Sequence, residues 1–226
     1  MADVSVASTR TVERALGLLG AVCESPPISL TDCARRAGLP ASTALRLLRT
    51  LEATNFVARD SRGAFHPGMR IMQIGAAALG RQSLVELAQP SLARIVEQTG
   101  ESTYLVVRGP SDTALYLAMA EGTHPVRHTS WVGRAIELAD LAVGAALAGR
   151  VPDVGYVAQR DRREPDITAI AAPVRRPGGI AAAINLLGPS YRLDDETTRA
   201  YGQIVSAEAE VISERLGAGI PLVEVR

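Results

Sequence analysis

The sequence contains no lysine, few aromatic residues and only two cysteines. All 24 basic residues are arginine, a usage that we attribute mainly to genomic composition, although arginine is also the better bidentate ligand. Aromatic residues make up 4% of the chain against 47% hydrophobic residues, so the core must be built mainly from Ala, Val, Leu and Ile. Cys23 and Cys33 form no CxxC motif and have no His at ligand spacing. They are therefore predicted to be small buried hydrophobes in a reducing compartment rather than disulfide or metal ligands.

Long apolar runs and a leader sequence are also missing. The longest apolar stretch, residues 141–149, is too short to span a bilayer, and no basic segment followed by an apolar run opens the chain. We therefore expect a soluble, cytoplasmic protein with no membrane partner. A length of 226 residues suits two modest domains.

The formal net charge of zero hides an asymmetry along the chain. Residues 1–80 hold nine arginines and six acidic residues, a net charge of +3, whereas the remainder holds 15 and 18, a net charge of −3. The basic part of the chain contains two short helical patterns, at residues 29–51, that meet at a Gly-Leu-Pro turn.

The signals at the ends of these two patterns predict a helix-turn-helix. Ser29 stands three residues before Asp32, a Ser-x-x-acid helix start in which the hydroxyl accepts an early backbone N–H and the carboxylate reaches back. Gly38 ends this first helix. Pro40 lacks an N–H and so opens a second helix without cost, over about residues 41–53.

The second predicted helix has two faces of different chemistry. One is an apolar stripe with the spacing i, i+3, i+4 and i+7, made of Ala44, Leu47, Leu48 and Leu51. The other carries hydroxyl groups near its N-terminus and guanidinium groups further along, on Ser42, Thr43, Arg46, Arg49 and Thr50. This is the chemistry that holds phosphates and reads guanine edges in a major groove.

Individual roles on that face have alternatives. Arg46, which shares a stripe with Ser42, is the strongest candidate for a base contact and Arg49 the next, against the alternative of a solvated helix face. Ser42 and Thr43 lie where free N–H groups and the helix dipole favour a phosphate. Leu45 either meets a thymine methyl group or packs at the edge of the core.

The flanking segments complete a winged helix-turn-helix. A loose tail over residues 1–8 precedes a helix from Thr9 to Glu24, whose predicted buried face consists of Val12, Leu16, Leu19 and Cys23. After the helix-turn-helix, residues 55–59 and 64–66 flank the turn tetrad Asp-Ser-Arg-Gly and predict a hairpin. Arg59 and Arg62 on this hairpin either contact the DNA backbone or a minor groove, or are solvated.

The remaining chain alternates helical and strand patterns. Residues 67–81 form an apolar helix that needs a partner surface, which in a dimer is its twin, and residues 83–98 form an amphipathic helix stopped by Gly100. Strand patterns follow at 102–108, 113–120, 126–132, 168–174 and 179–187, with a short helix at 140–147, a polar loop region at 149–164 and a final helix at 194–216. The pattern predicts an α+β domain with an antiparallel sheet.

Single residues of this second part suggest no catalytic centre. Asn185 lies in an Ala/Ile/Leu strand and needs a partner if it is buried, which makes it the best candidate for a ligand hydrogen bond. Tyr104, Tyr116 and Trp131 are predicted to serve the core or an interface rather than to stack on a ligand. His124 and His128 have no Ser, Cys or carboxylate at an interpretable spacing and are predicted to be surface imidazoles, so neither an enzyme nor a metal site is expected.

Several segments together resemble the IclR family of bacterial transcription regulators. In the first part these are TVERAL at 11–16, SLTDCARRAGLP at 29–40, STALRLLRTLE at 42–52 and FHPG at 65–68. In the second part they are EGT at 121–123, VGR at 132–134, IAAPV at 170–174 and LGPSYRL at 187–193. The resemblance covers about residues 9–217 and is most specific in the DNA-binding half.

The resemblance implies an architecture and a set of partners. It implies an α+β fold with a winged helix-turn-helix over residues 1–67, a connecting helix over 68–82 and a shortened, GAF/profilin-like effector-binding and oligomerisation domain over 83–226. It implies a homodimer or homotetramer on a pseudo-palindromic operator, without a cofactor. It adds Ser29 and Thr31 to the DNA-binding candidates, and it lines the effector cup with Gly133, Asp140, Ala169, Asn185 and Leu187.

The chain departs from the family in the effector domain. It has ELADLA at 137–142 where Pro-Leu-His-Ala-Thr-Ala is usual, Gly144-Ala-Ala for Gly-Lys-Ala, Ala169 for Cys, NLL at 185–187 for Ser-Val-Ser, and a shorter segment over 151–164. Either the ligand is more apolar or the site has decayed. Two functions follow: a regulator whose DNA affinity is controlled by a small organic metabolite, or a ligand-independent repressor whose C-terminal domain is only a dimerisation scaffold.

Overall fold

A computed structural model describes residues 9–79, 83–128 and 130–217 of the chain. The chain divides into two compact units, residues 1–80 and 81–226. The fold is α+β, as the sequence predicts. The predicted tail at 1–8 and the predicted end of the connecting helix at 80–82 lie outside the described residues.

The first unit is a winged helix-turn-helix. Its elements are α1 (Arg10–Glu24), α2 (Leu30–Arg36), α3 (Ala41–Ala53), β1 (Val57–Arg59), β2 (Phe65–Pro67) and α4 (Met69–Leu79). The two strands pair antiparallel, and Ile28 adds a bridge to Phe65. Gly38 ends the first helix of the motif with φ +62°, and Gly63 closes the wing turn with φ +84°, a region of backbone conformation that favours glycine.

The core of the first unit confirms one predicted apolar stripe and corrects another. On α3 the residues Ala44, Leu47 and Leu48 are buried, as predicted. On α1 the predicted face is wrong, because Val12 and Leu16 are 54% and 60% exposed and Cys23 is exposed, which also corrects its predicted burial. Residues 15–23 of this helix are apolar throughout, and the stripe that packs on the core is Leu18, Ala21 and Val22.

Ser29 acts as the predicted N-cap of α2. Its Oγ accepts the Asp32 N–H at 3.1 Å and donates to Asp32 Oδ2 at 2.7 Å, so the carboxylate meets the hydroxyl. This hydrogen bond, and next the charge of Arg35, lower the pKa of the Asp32 carboxyl. The cap satisfies one of the free N–H groups at the helix start.

Replacing Ser29 by alanine is expected to destabilise the first unit by about 1 kcal/mol, because the cap is lost. Ser42→Ala is the matched control, since Ser42 is exposed and makes no capping hydrogen bond on α3. Far-UV circular dichroism during denaturant unfolding measures the change. Trp131, the single tryptophan, lies in the second unit and should report an unaltered transition there. Equal stability of the two variants would contradict the capping role.

The second unit is a six-stranded sheet with helices on both faces. Its elements are α5 (Ser83–Thr99), β3 (Ser102–Arg108), β4 (Thr113–Ala120), β5 (Ala135–Glu137), α6 (Ala142–Leu147), β6 (Val157–Arg160), β7 (Ile167–Arg176), β8 (Gly179–Pro189) and α7 (Asp195–Gly217). The strand order is β5-β4-β3-β8-β7-β6, and every pairing is antiparallel.

Successive side chains of the central strands point to opposite faces of the sheet, so the core of the second unit consists of two layers. Leu105, Ile170 and Ile184 pack with α5 and α7 on one face. Tyr104 and Ala171, their neighbours in sequence, pack with α6 on the other face. The face that carries α6 is the one that holds the candidate effector cavity.

Two predictions about the edges of the sheet are wrong. The described part of 126–132 contains no strand, because Trp131 and His128 turn inward as loop side chains and the edge strand is β5. The region 149–164 contains β6, which pairs with β7. Both edge strands are short, and the exposed positions of β6 carry polar or small side chains that give little apolar signal.

A buried ion pair connects two loops of the second unit. Glu101 is 1% exposed, and Arg192 donates to it from Nε at 2.8 Å and from Nη2 at 3.0 Å. The same guanidinium group donates to the Val126 carbonyl at 2.8 Å. The pKa of Arg192 is raised, first by its hydrogen bond to Glu101. The arginine therefore neutralises the carboxylate and connects residue 126 to the loop after β8.

Candidate DNA-binding face and effector cavity

The outward face of α3 presents the side chains that the sequence assigns to DNA. Ser42, Arg46 and Arg49 are exposed, and Thr43 and Leu45 are half-buried at its margins. Within the described residues neither Arg46 nor Arg49 pairs with a carboxylate. Thr50, on the same face, turns its hydroxyl back to the Arg46 carbonyl at 3.2 Å. Two unpaired guanidinium groups therefore stand one helical turn apart on this face.

Thr31 and Ser29, the two predicted DNA-binding residues at the start of α2, differ in how freely their hydroxyl groups can contact DNA. Thr31 is exposed near the start of α2. The hydroxyl of Ser29 is engaged by Asp32 in both directions, so a DNA contact from Ser29 would have to share that hydrogen bonding. Asp32 also pairs with Arg35, which reduces the positive charge at this end of the motif.

The structure separates the two predicted arginines of the wing. Arg59 donates from Nε to the Gly63 carbonyl at 3.1 Å, and its guanidinium carbon lies 5.4 Å from the centroid of the Phe65 ring. Arg62 is exposed at the tip, and its side chain makes no ion pair within the described residues. Arg59 thus stabilises the wing, whereas Arg62 is available for a phosphate.

Asp60 fixes the conformation of the wing turn. Its Oδ1 accepts the backbone N–H groups of Arg62 and Ala64, each at 2.9 Å, and its Oδ2 lies 3.2 Å from His66 Nε2. These hydrogen bonds, that of His66 first, lower the pKa of the Asp60 carboxyl. The tip that carries Arg62 is therefore held in one geometry.

A small cavity lies on the α6 side of the sheet in the second unit. Its walls are the aromatic rings of Tyr116 and Trp131 and apolar side chains from α6, β7 and β8. Asn185 and Gln159 contribute amide groups, and the charged residues on its lining are Arg162, Arg163 and Glu164. The volume of the cavity is about 30 Å³. The space suits about two water molecules or a small ligand group.

Three of the five predicted effector residues line this cavity. Ala169, Asn185 and Leu187 do so, from β7 and β8. Gly133 and Asp140 lie elsewhere, both exposed: Gly133 in a turn with φ +82° and Asp140 before α6 with φ +56°. Neither residue therefore lies on the lining of this cavity, because the turns that carry them face solvent.

The sequence misses the segment that supplies the polar side of the cavity. Gln159, Arg162, Arg163 and Glu164 fall in the region predicted as a loop, and Ile167 follows it. Strand register explains the place of Gln159, because Gln159 pairs with Ala169 and Ala169 with Leu187, so these three residues form one row across the sheet. No local pattern reveals such a row.

A cluster of buried rings supports the cavity. Tyr116 meets Tyr104 and Trp131 edge to face at centroid distances of 5.3 Å. Burial raises the pKa of both tyrosines, that of Tyr116 to about 12. Asn185 is 2% exposed and donates from Nδ2 to the Tyr116 hydroxyl at 3.1 Å, which supplies the partner expected for a buried polar side chain.

His128 belongs to this cluster, and the prediction of a surface imidazole is wrong for it. It is 5% exposed, and its Nδ1 lies 2.7 Å from the Tyr104 hydroxyl. Its Nε2 lies 3.6 Å from Glu164 Oε2, so a carboxylate 36 positions away does accompany it. His124 is half-exposed, with Nε2 3.9 Å from Glu101 Oε1.

The described residues were also inspected for membrane-spanning helices and for metal-binding clusters. No helix among them is long and apolar enough to cross a bilayer. The described ranges also hold no group of three or more His, Cys, Asp or Glu side chains placed to bind a metal ion.

Comparison with family models covers most of the chain. Residues 11–61 match the model of the IclR helix-turn-helix domain. Residues 76–154 and 149–214 match the model of the bacterial transcriptional regulator IclR C-terminal domain. The two matches correspond to the two compact units.

Individual proteins give the same result. The transcriptional regulator BhcR of Paracoccus denitrificans is 30% identical over 241 aligned residues, which cover 90% of this chain and 86% of BhcR. The transcriptional repressor AllR of Escherichia coli is 25% identical, with 84% and 83% covered. Both relatives are regulators of transcription.

Solved structures share the fold over nearly the whole chain. An IclR transcriptional regulator from Alicyclobacillus acidocaldarius superposes with a TM-score of 0.80 at 21% identity, covering 93% of this chain and all of its own. An IclR homologue from Microbacterium hydrocarbonoxydans, complexed with 4-hydroxybenzoate, gives a TM-score of 0.77 at 22% identity, with 92% and 100% covered.

Proposed function

The chain belongs to the IclR family of bacterial transcriptional regulators, and on this premise we propose that a small organic metabolite in the cavity of the second unit controls its affinity for DNA. The protein is a DNA-binding regulator of transcription. The observation that carries the proposal is the cavity itself, which combines aromatic walls with buried amide groups. A neighbour in fold is complexed with 4-hydroxybenzoate.

On the DNA side we assign separate roles to the residues of α3. Arg46 and Arg49 contact base edges, because both are exposed and neither is neutralised within the described residues. Ser42 and Thr43 contact phosphate at the N-terminus of the helix. Leu45, half-buried at the margin, meets a thymine methyl group. The exposed wing arginine, Arg62, contacts the backbone.

Residues outside α3 contribute less on this account. Thr31 is exposed and binds phosphate, and Ser29 mainly caps α2. Arg59 mainly holds the wing, through Gly63 and Phe65. Loss of a phosphate contact weakens binding to all sequences alike, whereas loss of a base contact relaxes preference at one position.

An apolar groove in the first unit supports a homodimer. Leu16, Leu19, Phe56, Ile71 and Ile74 line it, between α1 and α4. Leu16 and Ile74 are 60% and 46% exposed, and Met69 and Met72 next to them are 62% and 65% exposed. A patch of this kind on a soluble protein marks an interaction surface. We propose that the same groove of a second copy covers it, which would place two α3 helices on one operator.

Leu16→Glu should weaken binding to a two-half-site operator by about tenfold or more, because a charge would be buried in the dimer interface. Gln73→Glu is the control, since Gln73 is exposed on α4 and does not line the groove. Fluorescence anisotropy with an operator duplex and with a single half-site separates the effects. Affinity for the half-site should stay the same. An equal loss on both duplexes would indicate damage to the reading head instead.

Control by a ligand requires that the ligand favours one conformation of the protein. A metabolite that binds the DNA-competent and DNA-free forms equally shifts nothing. Thermal-shift screening over organic acids, alcohols, amides and lactones, followed by anisotropy on operator DNA, tests the proposal. A compound that raises the melting temperature and changes operator affinity supports it. If no compound does both, the proposal fails.

The small size of the cavity favours one alternative function, that of a ligand-independent repressor. With a cavity volume of about 30 Å³, the second unit as described has little room for a ligand. A ligand-independent repressor, whose second unit is a dimerisation scaffold, would show operator affinity that no metabolite in the screen alters.

A further inference from the structure

We infer that the cavity binds the neutral hydroxyl or carboxamide end of its effector, and that it discriminates against a carboxylate at that position. The inference rests on the proposed effector function and specifies the ligand. Its basis is the set of hydrogen-bonding atoms that the buried part of the cavity leaves without partners.

Two amide oxygens on the cavity lining receive no hydrogen bond from the part of the chain that the structure describes. They are Asn185 Oδ1 and Gln159 Oε1, and both atoms are buried. A buried carbonyl oxygen without a donor costs free energy of about 1–3 kcal/mol. A ligand that supplies an O–H or N–H group removes this cost. The cavity is therefore built to receive hydrogen-bond donors.

Tyr116 supplies a hydrogen-bond donor next to Asn185. Its oxygen accepts the Asn185 amide N–H at 3.1 Å, which leaves its own proton to be donated. Burial raises the pKa of Tyr116 to about 12, so the hydroxyl keeps this proton at neutral pH. A group that accepts from Tyr116 and donates to Asn185 satisfies both residues. Alcohols and primary amides are such groups, and carboxylates are not, because they only accept.

The charges around the cavity reinforce the selection. Arg162 and Arg163 are exposed, and Glu164 is half-buried, so the cationic groups lie at the solvent side. Among the described lining residues none is a buried cation that could pair with an anion next to Asn185. A carboxylate placed there would lose its hydration and face the carbonyl oxygen of Asn185. An anionic group elsewhere on the same molecule can still meet the arginines at the rim.

Matched small probes test this selection on the full-length protein. Isobutyramide and isobutyrate differ only in their polar end, and isobutanol supplies a hydroxyl on the same carbon skeleton. At about pH 8 isobutyric acid is ionised. Titration calorimetry and thermal shift, with probes at up to roughly 100 mM, cover the weak affinities expected of such small molecules. We expect the amide and the alcohol to bind about tenfold or more tightly than the carboxylate.

Two variants connect the preference to the named atoms. Gln159→Leu removes one acceptor from an edge strand, and Asn185→Leu removes the other from the buried cluster. Both variants should reduce the preference for amide over carboxylate. If Asn185→Leu does not fold, Gln159→Leu alone still tests the inference. Ala158→Leu is the control, because Ala158 is the exposed neighbour of Gln159 on β6 and does not line the cavity.

Each outcome decides the inference. The inference is supported if the protein binds the amide and the alcohol more tightly than the carboxylate and if Gln159→Leu reduces this preference. Tighter binding of isobutyrate overturns it, since the buried amides would then present their N–H groups to an anion. Absence of binding by all three probes also overturns it. The proposed effector function is tested separately. It fails if no compound of the broad screen changes the affinity for the operator.

Discussion

Replacing Arg192 by alanine is expected to lower the free energy of unfolding of the second unit by about 3–5 kcal/mol. The substitution leaves the Glu101 carboxylate, which is 1% exposed, without its two charge-assisted hydrogen bonds. His124 Nε2, at 3.9 Å, is too distant to replace them. The loop at Val126 also loses the N–H donor that holds its carbonyl.

Arg127→Ala is the matched control for this variant. Arg127 pairs with Glu121 at the surface, where the two side chains are 39% and 62% exposed, so its loss should cost no more than about 1 kcal/mol. Trp131 fluorescence during denaturant unfolding follows the second unit selectively, because the first unit contains no tryptophan. Equal destabilisation by the two variants would show that burial of Glu101 contributes nothing to the strength of its pair.

Arg46→Ala is expected to cost about 1–3 kcal/mol of operator binding, and to relax the preference at one base pair. The guanidinium group is exposed on α3, without a carboxylate partner among the described residues, so its loss exposes no buried charge. The folded state should therefore keep its stability. The effect is confined to DNA recognition.

Arg62→Ala provides the contrast within the same unit. Arg62 stands at the wing tip, and its loss should weaken all duplexes alike and reduce the slope of log affinity against log salt by about 1. Anisotropy titrations at fixed salt, with duplexes changed one base pair at a time, measure both effects. If Arg46→Ala leaves the pattern of base preferences unaltered, α3 does not read bases through this side chain.

The sequence predicts α3 well because independent local signals agree there. Pro40 marks the start, the apolar stripe has helical spacing, and the buried residues are those of the stripe. On α1 periodicity alone predicts the wrong stripe, because residues 15–23 are apolar throughout and contain two overlapping stripes. Leu18, Ala21 and Val22 form the core. Leu16, Leu19 and Cys23 of the predicted stripe line the groove proposed as the dimer interface.

The candidate cavity is predictable only in part, for a related reason. Asn185 stands out because it is polar within an apolar strand, and the structure gives it a buried partner in Tyr116. Gln159 and His128 carry no such signal, since an edge strand and an inward-turned loop place them beside residues distant in sequence. Strand register and loop packing are non-local properties, so composition and spacing do not show them.

In vitro selection from a randomised duplex library tests whether the α3 helices of two copies read a pseudo-palindromic operator. We expect the selected sequences to form an inverted repeat whose half-site centres lie about one helical turn, or a multiple of it, apart. Affinity for this repeat should exceed that for shuffled DNA by about a thousandfold at the same salt. Enrichment of no sequence, or of one without a repeat, would contradict this expectation.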